Sequence, residues 1–209
     1  MPFYWAVTQS NLGIALSALG EREPGTARLE AAIRAFEAAF LELTRERASA
    51  VWAQAQNNYA DALQRLGARE AGTARLEAAV RACQAALLER TRERVPIGWA
   101  VTQNNLGDAL SAFGARKAGT TRLDEAVRAY EAALLEQTRE RAPFRWTITQ
   151  NNHANALRAL AERTADTATR ARTIAAYDGA IEVYRAAEAS RYLAVAEEGL
   201  VRVQALQMG

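Results

Sequence analysis

Tryptophan recurs at Trp5, Trp52, Trp99 and Trp146, each 47 residues from the next. The surrounding text recurs with it: stretches 5–51 and 99–145 match at 31 of 47 positions. Identity that dense covers surface as well as core positions, so internal duplication accounts for it better than convergence. A repeat of this length constrains the fold more than any other feature. Each unit is one supersecondary element too small to bury its own apolar face, and neighbours must stack to bury it. The units run 5–51, 52–98, 99–145 and 146–192. One further step reaches Leu193, where LAVAEEGLVRV resumes a degraded form of WAVTQNNLGDA.

Each unit contains two helical patterns. In the third, Gln103, Leu106, Gly107 and Leu110 fall at i, i+3, i+4 and i+7, with Trp99 one turn earlier. Gly114 is the expected stop of this helix. Thr121 and Asp124 have the spacing of a capping box for the second, whose apolar face is Leu123, Ala126, Val127, Tyr130, Ala133 and Leu134. That helix runs out near TRER, and Pro143 opens the next unit as Pro96 opens the one before. The chain is half hydrophobic with only four prolines, which fits an all-α protein.

The pattern L-G-x-x-L, a glycine four residues on, then A-x-x-x-Y-x-x-A, resembles the tetratricopeptide repeat (TPR). In the third unit it is carried by Leu106, Gly107, Leu110, Gly114, Ala126, Tyr130 and Ala133. The resemblance spans nearly the whole chain. The unit is longer than the ordinary TPR, with extra residues between its helices and after the second, and Gln103 takes the place of the early aromatic. In this it is similar to kinesin light chain and to bacterial multi-repeat TPR proteins. The resemblance implies a right-handed α-solenoid of four TPR-like hairpins plus a C-terminal capping helix at 193–207. It also implies that the first helix of each hairpin lines a concave groove.

Asparagine is a mediocre helix former, yet a pair or near-pair stands mid-helix in every unit. Carried over from the family, Ser10/Asn11, Asn57/Asn58, Asn104/Asn105 and Asn151/Asn152 face the groove. One turn later come Ile14, Asp61, Asp108 and Asn155, then Ser17, Gln64, Ser111 and Arg158. An amide both donates and accepts, matching the C=O and N–H of an extended peptide. Asp61, Asp108, Arg65 and Arg158 then add charge selectivity. One asparagine of each pair can instead bond a neighbouring helix and set the spacing between repeats. Both readings stand, with the second asparagine of each pair the stronger ligand candidate. Gln9, Gln56, Gln103 and Gln150 fall on the packing side.

Other chemistry has little to build on. The only histidine, His153, occupies the slot of Leu12, Tyr59 and Leu106, and the only cysteine, Cys83, that of Phe36, Tyr130 and Tyr177; both read as core. No Cys/His cluster has metal spacing, no glycine-rich phosphate loop occurs, and no cofactor is implied. The expectation is a protein that is not an enzyme. Arg45/Arg47, Arg92/Arg94 and Arg139/Arg141 of the TRER words form a basic edge with Arg28, Arg75 and Arg122. Glu46, Glu93 and Glu140 interleave with it and the net charge is only +2, which weighs against a nucleic-acid partner. No apolar run reaches membrane-spanning length and no leader pattern opens the chain, so the expected address is cytoplasmic. Phe3, Tyr4 and Trp5 lie where stacking would place a preceding helix, so a fragment of a longer array or a homo-oligomer is expected there.

The function expected from these residues is a protein- or peptide-binding module whose asparagine-lined groove holds an extended segment. The alternatives are a structural or oligomerising scaffold, such as the sensor portion of a larger bacterial signalling protein, and a nucleic-acid-binding solenoid.

Overall fold

The computed structural model describes residues 2–205, and every regular element among them is a helix. Nine follow in order: α1 Pro2–Arg22, α2 Ala27–Phe40, α3 Arg45–Arg69, α4 Ala74–Leu87, α5 Pro96–Arg116, α6 Thr121–Leu134, α7 Pro143–Thr164, α8 Thr167–Ala186 and α9 Ser190–Ala205. The chain divides into two compact units, one ending at Phe113 and one beginning at Gly114. In the first, α1 packs along α2, α3 along α4, and α3 also meets α1 and α2. In the second, α7 packs along α8 and α6, and α9 lies against both α8 and α7. The closing helix starts three residues before its expected position, and Leu206 and Gln207 of the expected span lie outside the described residues.

The short helices are alanine-rich, which favours the helix, and each buries one stripe. Leu29, Ala32, Ile33, Phe36 and Ala39 form it in α2. Leu76, Ala79, Val80, Cys83 and Ala86 form it in α4, and Leu123, Ala126, Val127, Tyr130 and Ala133 in α6. Burying a side chain the size of Phe36 or Leu76 contributes about 1.5–3 kcal/mol.

Gly114 does not end its helix. A Cβ there would lie 3.0 Å from the Leu123 side chain, and at Gly20 and Gly67 it would lie 2.9 and 2.8 Å from Leu29 and Leu76. Each glycine permits close packing of the hairpin, and α1, α3 and α5 run on to Arg22, Arg69 and Arg116. The capping box at Thr121 does not form either. Thr121 is already the first residue of α6, and its N-cap is Thr120, in αR geometry with no side-chain cap bond.

Between α2 and the long part of α3, and at the two corresponding places, the chain repeats one device. Thr44, Thr91 and Thr138 accept through their hydroxyl oxygens from the backbone N–H of Arg47, Arg94 and Arg141, at 3.4, 3.4 and 3.3 Å. Each threonine carbonyl closes one helical turn by accepting from Ala48, Val95 or Ala142, at 3.1, 3.0 and 2.9 Å. The backbone then kinks, with φ/ψ of −156/62 at Ala48 and −152/62 at Ala142, and the long helix resumes. TRER is therefore a capped turn leading into the next unit. Its recurring local ion pairs run back to Glu42, Glu89 and Glu136, which meet Arg47, Arg94 and Arg141 at 2.7, 2.8 and 2.8 Å.

Candidate functional site

The asparagines of α3 and α5 form a directed chain of amide bonds. Asn105 on α5 donates through Nδ2 to Oδ1 of Asn57 at 3.1 Å, and Asn57 donates to Oδ1 of Asn58 at 3.3 Å. Gln54, one turn before Asn58, donates to the same oxygen at 3.1 Å. Asn57 is only 4% exposed, and its oxygen is taken by the bond between the two helices. Asn104 donates to Asp108, one turn on, at 3.1 Å. Asn58 remains half-exposed, and its amide nitrogen takes part in none of the bonds among the described residues.

Asn58 stands at the lip of a cleft between α1 and α3, with a volume of about 150 Å³. Ile14, Ser17 and Glu21 line it from α1, and Asn58, Asp61 and Arg65 from α3. Those positions are i, i+3 and i+7 on each helix, so one helical face from each side meets here. Arg65 bridges the walls: its Nε donates to Asp61 Oδ2 at 2.8 Å and its Nη1 to Glu21 Oε2 at 2.9 Å. Burial opposes the guanidinium charge, but Asp61 and Glu21 together raise its pKa above the usual value. The Ser17 hydroxyl, on a residue 6% exposed, has no hydrogen-bond partner. Among the sequence candidates the structure thus gathers Asn58, Asp61 and Arg65. Asn11 is exposed on α1, and Gln64 is half-buried on α3.

The corresponding face of the second unit is wired differently. Asn155 accepts at 2.6 Å from the Tyr177 hydroxyl, and Arg158 pairs with Glu162 at 2.5 Å. The Oδ1 of Asn151 is buried without a partner, as is Nε of Arg158. Asn152 is half-buried.

His153 is buried, 8% exposed, beside the Tyr130 ring at 6.4 Å between centroids, and neither ring nitrogen has a hydrogen-bond partner. Burial, and secondarily the nearby Arg172 charge, push its pKa down to about 4. Cys83 is fully buried, and its thiol pKa is raised by burial and by the Asp108 and Asp61 charges. No group of three His, Cys, Asp or Glu among the described residues could hold a metal ion. No helix among them is long and apolar enough to cross a membrane.

The edge arginines have partners within the chain. Beyond the three junction pairs, Arg45 meets Glu89 at 2.7 Å and Arg139 meets Glu182 at 2.6 Å. Arg92 lies over the Trp99 ring and Arg139 over Trp146, at 5.7 and 5.9 Å. Such stacking adds about 0.5–1 kcal/mol at exposed sites. At the start of α1, Phe3, Tyr4 and Trp5 are 41%, 72% and 46% exposed. Leu12 and Leu19 are exposed too, whereas Leu66, which stands 47 residues beyond Leu19, is fully buried.

Sequence reasoning passed over one recurring residue. Arg69 donates to the carbonyls of Gly25 and Gly20 at 2.5 and 2.7 Å. Arg163 does the same for Lys117, Gly119 and Ala115 at 3.1, 2.6 and 3.3 Å. Gly20 and Ala115 lie in the last turns of α1 and α5, whose carbonyls lack intrahelical partners, and Gly25, Lys117 and Gly119 lie in the loops that follow. The signal was present as an arginine at positions 22, 69, 116 and 163. No protein-family model matches the chain, and no curated protein matches it.

Proposed function

We propose that this chain is a non-enzymatic interaction module, an α-solenoid of the tetratricopeptide type that holds an extended peptide segment along the faces of its long helices. The observation that carries this reading is Asn58. Its oxygen is held by Asn57 and Gln54, so the amide plane is fixed, while its N–H₂ group takes no partner among the described residues and Asn58 borders the cleft between α1 and α3. A fixed, unused donor beside a cleft suits the carbonyl of a peptide backbone. One such bond contributes about 0.5–1.5 kcal/mol, so binding draws on several positions at once.

The test is Asn58→Asp, which keeps the oxygen that Asn57 and Gln54 need and removes the donor. With a fluorescently labelled pool of uncharged, unstructured peptides, anisotropy titration is expected to show binding to the wild-type chain. The variant is expected to bind about fivefold more weakly at an unchanged melting temperature. Equal affinity in the variant, or no binding of any peptide pool to the wild type, overturns the proposal.

A further inference from the structure

The cleft between α1 and α3 has features that go beyond backbone recognition. Two carboxylates and one guanidinium line it, leaving a net formal charge of −1. Arg65 occupies one oxygen of each acid, Oδ2 of Asp61 and Oε2 of Glu21. The second oxygen of each, Oδ1 and Oε1, makes no hydrogen bond among the described residues. Ser17, on the opposite wall from Asp61, presents a hydroxyl that is buried and has no partner. An unsatisfied buried hydroxyl costs about 1–3 kcal/mol, and native structures hold few of them. A ligand donor at this point removes that cost.

These groups are acceptors set around a space of about 150 Å³, the volume of roughly five water molecules. That space fits the cationic end of a lysine or arginine side chain and not a whole folded partner. The Ile14 side chain on the α1 wall offers apolar surface for the methylene stem. We infer that the cleft is a subsite for a basic side chain of the bound segment, with Asp61, Glu21 and the Ser17 hydroxyl as acceptors. This rests on the peptide-binding reading and deepens it: the segment is extended and carries a lysine or arginine at the position that meets α1 and α3. Arg65 sets the geometry by bridging the two acids, which already match its charge twice over.

The experiment compares four labelled pools of unstructured peptides, identical except for one position held as lysine, arginine, glutamate or glutamine. The lysine or arginine pool is expected to bind the wild-type chain about threefold to fivefold more tightly than the glutamine pool, and the glutamate pool more weakly. The preference is expected to shrink as salt is raised. Asp61→Asn is expected to abolish it, and Glu21→Gln, on an exposed side chain, to reduce it even should Asp61→Asn lose its fold. Ser17→Ala is the sharpest variant: it is expected to raise the melting temperature, because an unsatisfied hydroxyl is gone, while weakening binding of the basic pool about threefold. A basic preference that is absent, or that survives both carboxylate variants, overturns the subsite. In that case binding of the glutamine pool that is still weakened by Asn58→Asp leaves the groove reading intact. No binding of any pool overturns both. Which of lysine and arginine is preferred assigns the cation.

Discussion

The words AQNNYADAL in α3 and TQNNHANAL in α7 differ little, yet the two units use them in opposite ways. In the first, the Tyr59 ring packs edge-on against Phe36 and Phe40, at 6.0 and 5.4 Å, and its hydroxyl reaches Glu37 at 3.1 Å. The same slot in the second unit holds His153, buried with both nitrogens unpartnered. Asn57 in the first is a bonded link to α5, and its counterpart Asn151 has a buried oxygen with no partner. A shared backbone position thus becomes a satisfied polar network in one unit and a set of unpaired polar atoms in the other. Identity of sequence at a slot does not carry the energetics, which depend on what the neighbouring helix presents.

The largest expected effect sharpens this contrast through pH. The fold keeps His153 neutral, with a pKa of about 4 against an ordinary value of 6.5. As pH falls from 6.5 towards 4, the unfolded chain takes up a proton that the folded chain refuses, so stability drops as the solution is acidified. The full loss is about 3 kcal/mol. Urea titrations followed by circular dichroism at pH 7 and pH 4.5 are expected to show most of it, and His153→Leu is expected to remove this component. Equal pH dependence in wild type and variant would break the contrast at its strongest point.

The asparagine slot gives the next effect, with a difference in direction between units. Asn57→Leu leaves the Asn105 N–H₂ without its partner, takes away one of the two donors to the Asn58 oxygen, and is expected to cost about 2 kcal/mol. Asn151→Leu removes an oxygen that has no bond to lose and is expected to be neutral or stabilising. Thermal denaturation of the two single variants distinguishes them, and equal losses would place both asparagines in the same role. The smallest effect concerns hydroxyls. Tyr177→Phe loses a 2.6 Å bond to Asn155 and is expected to cost about 1 kcal/mol. Tyr59→Phe loses an exposed bond to Glu37 and is expected to cost less than about 0.5 kcal/mol. Calorimetry on both variants orders them.

Much of the helical organisation could be read before any coordinates, because a 47-residue period and a 3.6-residue apolar stripe both survive in the text. Pro96 and Pro143 mark their helix starts for a local reason, since proline fits the first turn and no later one. The helix ends were less legible. Gly114 carries a stop signal in isolation, but its role is to let Leu123 approach, which is a tertiary constraint. Thr121 likewise has capping-box spacing while Thr120 takes the N-cap place. Of the candidate site, Asn58, Asp61 and Arg65 meet at one cleft because helical spacing alone brings them to one face. The fate of Asn57 was not legible, since it depends on Asn105 reaching it from 48 residues away. Ser17 matters through the bond it lacks, and a missing partner leaves no trace in a sequence.

The junction at Thr44, Thr91 and Thr138 carries its own cap, its own closing turn and its own glutamate–arginine pair. The cap, the closing turn and this ion pair are therefore encoded within a few consecutive residues, while Arg45 and Arg139 of the junctions reach further, to Glu89 and Glu182. A gene built this way can gain or lose a whole cassette by unequal crossing-over without rewriting the seams on either side. Length becomes a heritable variable that selection adjusts in steps of 47 residues, and the 31 of 47 positions shared by the first and third units fit a step of that kind.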